Sequence, residues 1–106
     1  MTAATAYLLS LPRNTRIFID FGSGWIDAES SGIVRKVCYD RVKKSNGRTK
    51  KRPRWCTYIF SEDSISKLLN SETCRVMIVK VFAYRTSIAV YTCREFLNIL
   101  ATINES

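Results

Sequence analysis

The sequence predicts a single α+β domain: an antiparallel sheet of about five strands, two or three short helices packed mainly on one face, and a protruding basic β-hairpin. Three observations predict it. Runs rich in β-branched and aromatic residues alternate with short amphipathic stretches. Two helix starts carry N-cap signatures. An Asn46-Gly47 dipeptide stands between two long strand-like runs, where a hairpin turn needs residues that tolerate positive φ. A length of 106 residues suits one domain, taken as residues 1–106, and an apolar share of 46% is that of an ordinary globular chain.

The elements follow in order. Thr2 to Leu11 predicts a short helix, with Ala4, Tyr7, Leu8 and Leu11 on one face and Pro12 forbidding continuation. Arg16 to Phe21 predicts a buried strand, broken by Gly22-Ser23-Gly24. Trp25-Ile26 forms a short strand before the Ser30-Ser31-Gly32 turn. Ile33 to Lys44 and Lys50 to Phe60 predict the two hairpin strands.

Ser61 then caps a helix whose first turn holds Glu62 and Asp63, where the helix dipole favours acids. Phe60 and Ile65 stand at staple positions, and Asn70 ends the helix. Arg75 to Tyr84 is apolar on both faces apart from Lys80, which predicts a strand in the middle of a sheet. Ser87 to Tyr91 returns as a further strand. Thr92-Cys93-Arg94-Glu95 is a capping box, with Phe96, Leu97, Leu100 and Ile103 as the buried face of a last helix. The first 70 residues resemble a double-stranded-RNA-binding domain in element order. Glu62 and Asp63 stand where that family carries lysines, so the chain is not assigned to it.

Charge is the strongest functional signal. The net charge is +8, and ten of the 17 basic residues fall between Arg35 and Arg54: Arg35, Lys36, Arg41, Lys43, Lys44, Arg48, Lys50, Lys51, Arg52 and Arg54. Asp40 is the one acid among them, so the segment carries +9 and the remainder −1. A concentrated field of this sign attracts polyanions.

A two-residue turn at Asn46-Gly47 pairs Ser45 with Arg48 and sets the expected register. Val34, Cys38, Trp55 and Ile59 then form a core-facing surface. The opposite face gathers Arg35, Arg41, Lys43, Lys50, Arg52 and Arg54 beside Tyr39 and Tyr58, with Lys43 facing Lys50 and Arg41 facing Arg52. Like charges directly opposite each other destabilise a strand pair, and a polyanion along the ribbon would relieve them. Guanidinium and ammonium groups would meet phosphates, and tyrosines would stack on bases. The expected contact set is therefore Arg35, Tyr39, Arg41, Lys43, Lys44, Arg48, Lys50, Lys51, Arg52, Arg54 and Tyr58.

These observations predict a small non-enzymatic nucleic-acid-binding protein that takes no cofactor. RNA or single strands are favoured over duplex DNA, because no basic recognition helix is visible. The second reading is a protein-interaction or inhibitory module that places the basic hairpin on an acidic or nucleic-acid-binding surface of a partner. A homodimer through an exposed edge strand is also compatible with the pattern. No apolar run approaches the roughly 18 residues of a membrane span, and Thr2 to Leu11 lacks the basic start of a signal peptide. The expected location is intracellular: cytoplasmic, or nuclear if the protein comes from or acts in a eukaryotic cell, where Lys50-Lys51-Arg52-Pro53-Arg54 resembles a nuclear-localisation cluster.

Catalytic readings are weaker. The chain has no histidine. Asp20 at the end of an apolar strand, followed by Gly22-Ser23-Gly24, resembles the first strand of ribonuclease-H-like nucleases. That likeness covers eight residues and implies a divalent metal on Asp20, with Asp27, Glu29, Glu62 and Asp63 as partners by type alone. The alternative is that Asp20 shapes a glycine turn. Cys38, Cys56, Cys74 and Cys93 lie 18, 18 and 19 positions apart with no CxxC pair, so neither a metal site nor a catalytic thiol is expected. Four unpaired, buried cysteines are the expectation.

Overall fold

The structure is a computed structural model that describes residues 6–43 and 45–105; at 39–43 and 49–54 it describes the backbone alone. It is α+β with antiparallel pairing throughout, as the sequence predicts, but the strands divide between two sheets. Among the described residues, seven strands, β1 (Tyr7–Pro12), β2 (Thr15–Asp20), β3 (Trp25–Asp27), β4 (Val34–Lys43), β5 (Thr49–Phe60), β6 (Arg75–Val81) and β7 (Thr86–Thr92), accompany helices α1 (Glu62–Asn70) and α2 (Cys93–Asn104). One sheet has the order β1-β5-β4, the other β3-β2-β6-β7. A short 3-10 turn, Ala28–Ser31, links β3 to β4.

The N-terminal helix expectation is corrected: Tyr7–Pro12 is a strand, and residues 1–5 lie outside the described ones. A six-residue apolar run fits either period, and the free edge of β5 decides it. Tyr7 to Pro12 pairs with Phe60 to Trp55, placing Tyr7, Leu9 and Leu11 beside the buried Phe60, Tyr58 and Cys56. Pro12 is tolerated because it ends an edge strand.

Both helix starts form as expected. The Ser61 hydroxyl accepts from the Ser64 N–H, and Thr92 and Glu95 complete a reciprocal capping box. α2 packs against β1, β6 and β7, and α1 against β5 and α2. Their apolar faces close a core of Leu9, Ile17, Ile19, Phe60, Val76, Phe96 and Leu100 between the two sheets. The Phe60 and Phe96 rings meet at 5.5 Å between centroids, tilted by 59°.

β6 lies between β2 and β7, the central position its double apolar pattern predicts. It stops at Val81, short of Tyr84, because the chain reverses at Ala83-Tyr84, and the Phe82 N–H closes the β6–β7 hairpin by donating to the Arg85 carbonyl at 2.8 Å. The β6–β7 register brings Cys74 beside Cys93, with Cα atoms 5.4 Å apart, and they form a disulfide. This corrects the expectation of four unpaired cysteines. Cys38 and Cys56 remain thiols, the second fully buried.

Candidate nucleic-acid interface

β4 and β5 pair antiparallel over most of their length, but the register differs from the expected one in its outer half. From Val34↔Ile59 to Cys38↔Trp55 it is the one the sequence predicts. Beyond that it shifts by one: Tyr39 stands opposite Pro53, Asp40 opposite Arg52, Arg41 opposite Lys51, and Lys43 opposite Thr49. Arg54 is the extra residue, at a β-bulge beside Pro53, which has no N–H to give to the ladder.

The connection is correspondingly longer than two residues. Lys43 pairs with Thr49, so 44–48 join the strands. The Arg48 N–H donates to the Asn46 side-chain oxygen at 3.1 Å, and Gly47 takes φ +83°. An Asx-type turn thus replaces the expected Ser45–Arg48 pairing. The predicted Lys43–Lys50 and Arg41–Arg52 oppositions do not form. Asp40 faces Arg52 in register, and Val42 faces Lys50.

The two faces of the inner half are exchanged relative to the expectation. Cys56, Tyr58 and Phe60 point into the core, each fully buried. Trp55, Val34 and Lys36 lie on the outer face, with Trp55 37% and Val34 50% exposed. Both alternations of β5 are apolar enough to be core, so periodicity alone could not choose. The second sheet and α2 cover the Tyr58 side. On the outer face, Ser10 and Thr57 hydroxyls meet at 3.1 Å beside Lys36, a polar row between two apolar ones.

Tyr58 therefore leaves the predicted contact set. Its hydroxyl accepts the Ile17 N–H at 3.3 Å, and burial pushes its pKa up, keeping the phenol neutral. Arg35 is half-buried: its guanidinium lies 5.9 Å from the Tyr58 ring centroid, and Nη2 donates to the Arg13 carbonyl at 3.0 Å. It seals the core edge and is held by protein groups. Arg48 is exposed in the turn. Lys44 lies outside the described residues, as do the side chains of Tyr39, Arg41, Lys43, Lys50, Lys51, Arg52 and Arg54.

Trp55 is the aromatic that the sequence reading missed. The sequence pattern places it in the core, yet it stands half-exposed two residues along from Thr57 and beside the bulge. The polar residues Lys36, Ser10 and Thr57 that share its face were the available signal.

No family model, no curated protein and no solved structure matches this chain significantly.

The carboxylates singled out by the nuclease-like motif are held in separate local structures. Asp20 Oδ1 accepts the N–H groups of Gly22 and Gly24 at 2.7 and 3.1 Å, and both glycines adopt φ +117°. Its Oδ2 accepts from Arg75 at 2.9 Å, and the Arg75 guanidinium lies 5.0 Å from the Trp25 ring centroid. Arg75 first, and then the two glycine amides, hold the Asp20 carboxyl below the usual carboxylate range. Asp27 caps the 3-10 turn, Glu29 pairs with Arg16 at 3.3 Å, and Glu62 and Asp63 lie in the first turn of α1. Among the described residues no cluster of three or more histidines, cysteines or carboxylates is placed to hold a metal. Asp20 shapes the glycine turn. Among the described residues no helix is long and apolar enough to cross a membrane.

Proposed function

We propose that the chain is a small non-enzymatic nucleic-acid-binding protein that grips phosphates with the β4–β5 ribbon. The observation that carries this reading is the +9 charge between Arg35 and Arg54, threaded along two paired strands. β1 pairs only as far as Trp55, so β5 continues past it with β4 as its neighbour among the described residues. Two-stranded β-ribbons are an established element of nucleic-acid recognition, entering the grooves of duplexes.

The register supports one arrangement. The bulge at Arg54 brings the positions of Lys50 and Arg52 opposite the even-numbered positions of β4, the series to which Lys36 and Cys38 belong. Lys36 and Trp55 thus share a strand face with that series. Asp40 and Val42 share that series, and the positions of Arg41, Lys43 and Lys51 alternate with it, so the cations are spread over both faces of the ribbon. A backbone wrapped about the ribbon would meet both sets, and an unstacked base would meet the Trp55 ring. This favours RNA or single strands.

Fluorescence anisotropy with labelled single-stranded RNA, single-stranded DNA and duplex, titrated across salt, tests the reading. With about six phosphate contacts, log K falls against log salt with a slope near −4 to −5. Arg41→Gln, Arg52→Gln and Arg54→Gln should each make the slope shallower. A flat slope with all three variants neutral overturns it. Retention of a protein partner after nuclease treatment, with no oligonucleotide shift, would favour the protein-interaction reading instead.

A further inference from the structure

The second sheet carries an edge that the nucleic-acid reading does not use. β7 pairs with β6 on one side and with no strand on the other among the described residues. Natural edge strands are normally blunted by a charge, a proline or a bulge. Thr86-Ser87-Ile88-Ala89-Val90-Tyr91-Thr92 has no charge and no proline, and its register with β6 runs unbroken. Ile88 is 60% and Val90 52% exposed, beside the half-buried Val79 and Met77 to which they are paired.

The direction of the free peptide groups follows from two bonds. The Val81 N–H donates to the Asn14 carbonyl, towards β2, so the Val81–Thr86 pair is a non-hydrogen-bonded one. The Phe82 N–H donates to the Arg85 carbonyl, which sets the same alternation. Ladder bonds to β6 therefore use Ser87, Ala89 and Tyr91, and the peptide groups of Thr86, Ile88 and Val90 face outward. Thr92 shares that direction, but its N–H is taken by Glu95 at 3.0 Å.

We propose that β7 pairs antiparallel with β7 of a second copy about a two-fold axis at Ala89, joining two four-stranded sheets into one. In this register Ile88 faces Val90 of the other copy, and Thr86 faces Thr92. The outward peptide groups of Ile88 and Val90 meet as hydrogen-bonded pairs in both halves, giving four bonds. Axes between residues fail, because they would set an outward peptide group against an inward one. The strand is nearly the same read in either direction about Ala89: threonine at both ends, a hydroxylated residue next, then a β-branched aliphatic. Each chain carries +8, yet no charged side chain lies on this strand to repel its copy. These features fit a second copy, which must be complementary to itself. The proposal stands apart from the nucleic-acid reading.

Sedimentation equilibrium of the nuclease-treated chain, over a wide concentration range, should show a monomer–dimer equilibrium. Ile88→Lys and Val90→Lys sit on the exposed face and should shift it to monomer with an unchanged near-ultraviolet circular-dichroism spectrum. The second measurement does not depend on those variants folding. In a Cys38→Ser background, Ala89→Cys should form an intermolecular disulfide on mild oxidation, because a non-hydrogen-bonded pair brings its Cβ atoms to about 4.5–5.5 Å. Ser87→Cys should not. A monomer at every concentration, a dimer indifferent to both lysine variants, or no cross-link at position 89 would each overturn the proposal.

Discussion

The hydroxyl of Tyr58, on β5, accepts the N–H of Ile17, on β2, and so ties one sheet to the other across the core at 3.3 Å. The bond is needed because β3 is short. It pairs with Phe18 to Asp20 and stops, leaving the Ile17 amide facing a place where no strand lies. Both residues are fully buried, so water cannot substitute.

Tyr58→Phe keeps the ring and removes the acceptor. An orphaned buried N–H costs about 1–3 kcal/mol. Urea unfolding should show a loss of that order, with the salt slope for oligonucleotides unchanged. A Tyr58→Phe protein as stable as the parent would mean that this amide is satisfied some other way.

Trp55→Ala should act on binding more than on folding. The ring is half-exposed on the outer face, and base stacking on such a ring contributes about 1–3 kcal/mol. Affinity for single-stranded RNA should fall by roughly 5- to 150-fold, the conversion of that range, at constant salt slope. Quenching of tryptophan fluorescence by oligonucleotide should diminish in the same variant.

Reduction should destabilise the chain. Cys74 and Cys93 are 19 positions apart, and closing a loop of that size contributes about 3 kcal/mol through the unfolded state. Melting with and without reductant should differ for the parent and not for Cys74→Ser/Cys93→Ser. Under non-reducing conditions an alkylating reagent should label Cys38, which is half-buried, well before the fully buried Cys56.

Asp20 should set part of the acid limb of stability. Its folded pKa is depressed by Arg75 and the two glycine amides, so the unfolded state binds a proton first as pH falls. The contribution is complete above the ordinary aspartate value of 3.8 and is lost as pH drops through the lower folded value. Asp20→Asn should therefore melt at a lower temperature near neutral pH, and the gap to the parent should close on acidification. A constant gap across that range would show that the carboxylate charge does not matter here.

The local signals were the most legible. Ser61 and Thr92 cap helices because a hydroxyl beside an orphan N–H is a short-range arrangement that needs no distant partner. Asn46 and Gly47 do sit in the turn, although Asn46 uses its side chain and lengthens the loop. The disulfide was legible only through register. Cys74 and Cys93 extend the same pairing that joins Val81 to Thr86, whereas their spacing along the chain carries no such information.

The sequence by itself determined the α+β class, the two helix starts, the central place of β6 and the concentration of cations between Arg35 and Arg54. Each depends on neighbours a few residues apart or on charge counted along the chain. The tertiary structure decided which side of β5 is core, that Tyr7–Pro12 is a strand, and that two sheets form where one was expected. Those outcomes depend on competition for the same apolar faces. Tyr58 and Trp55 are adjacent alternations of one strand, and only the arrival of β2 and α2 on one side buries the first and leaves the second in water.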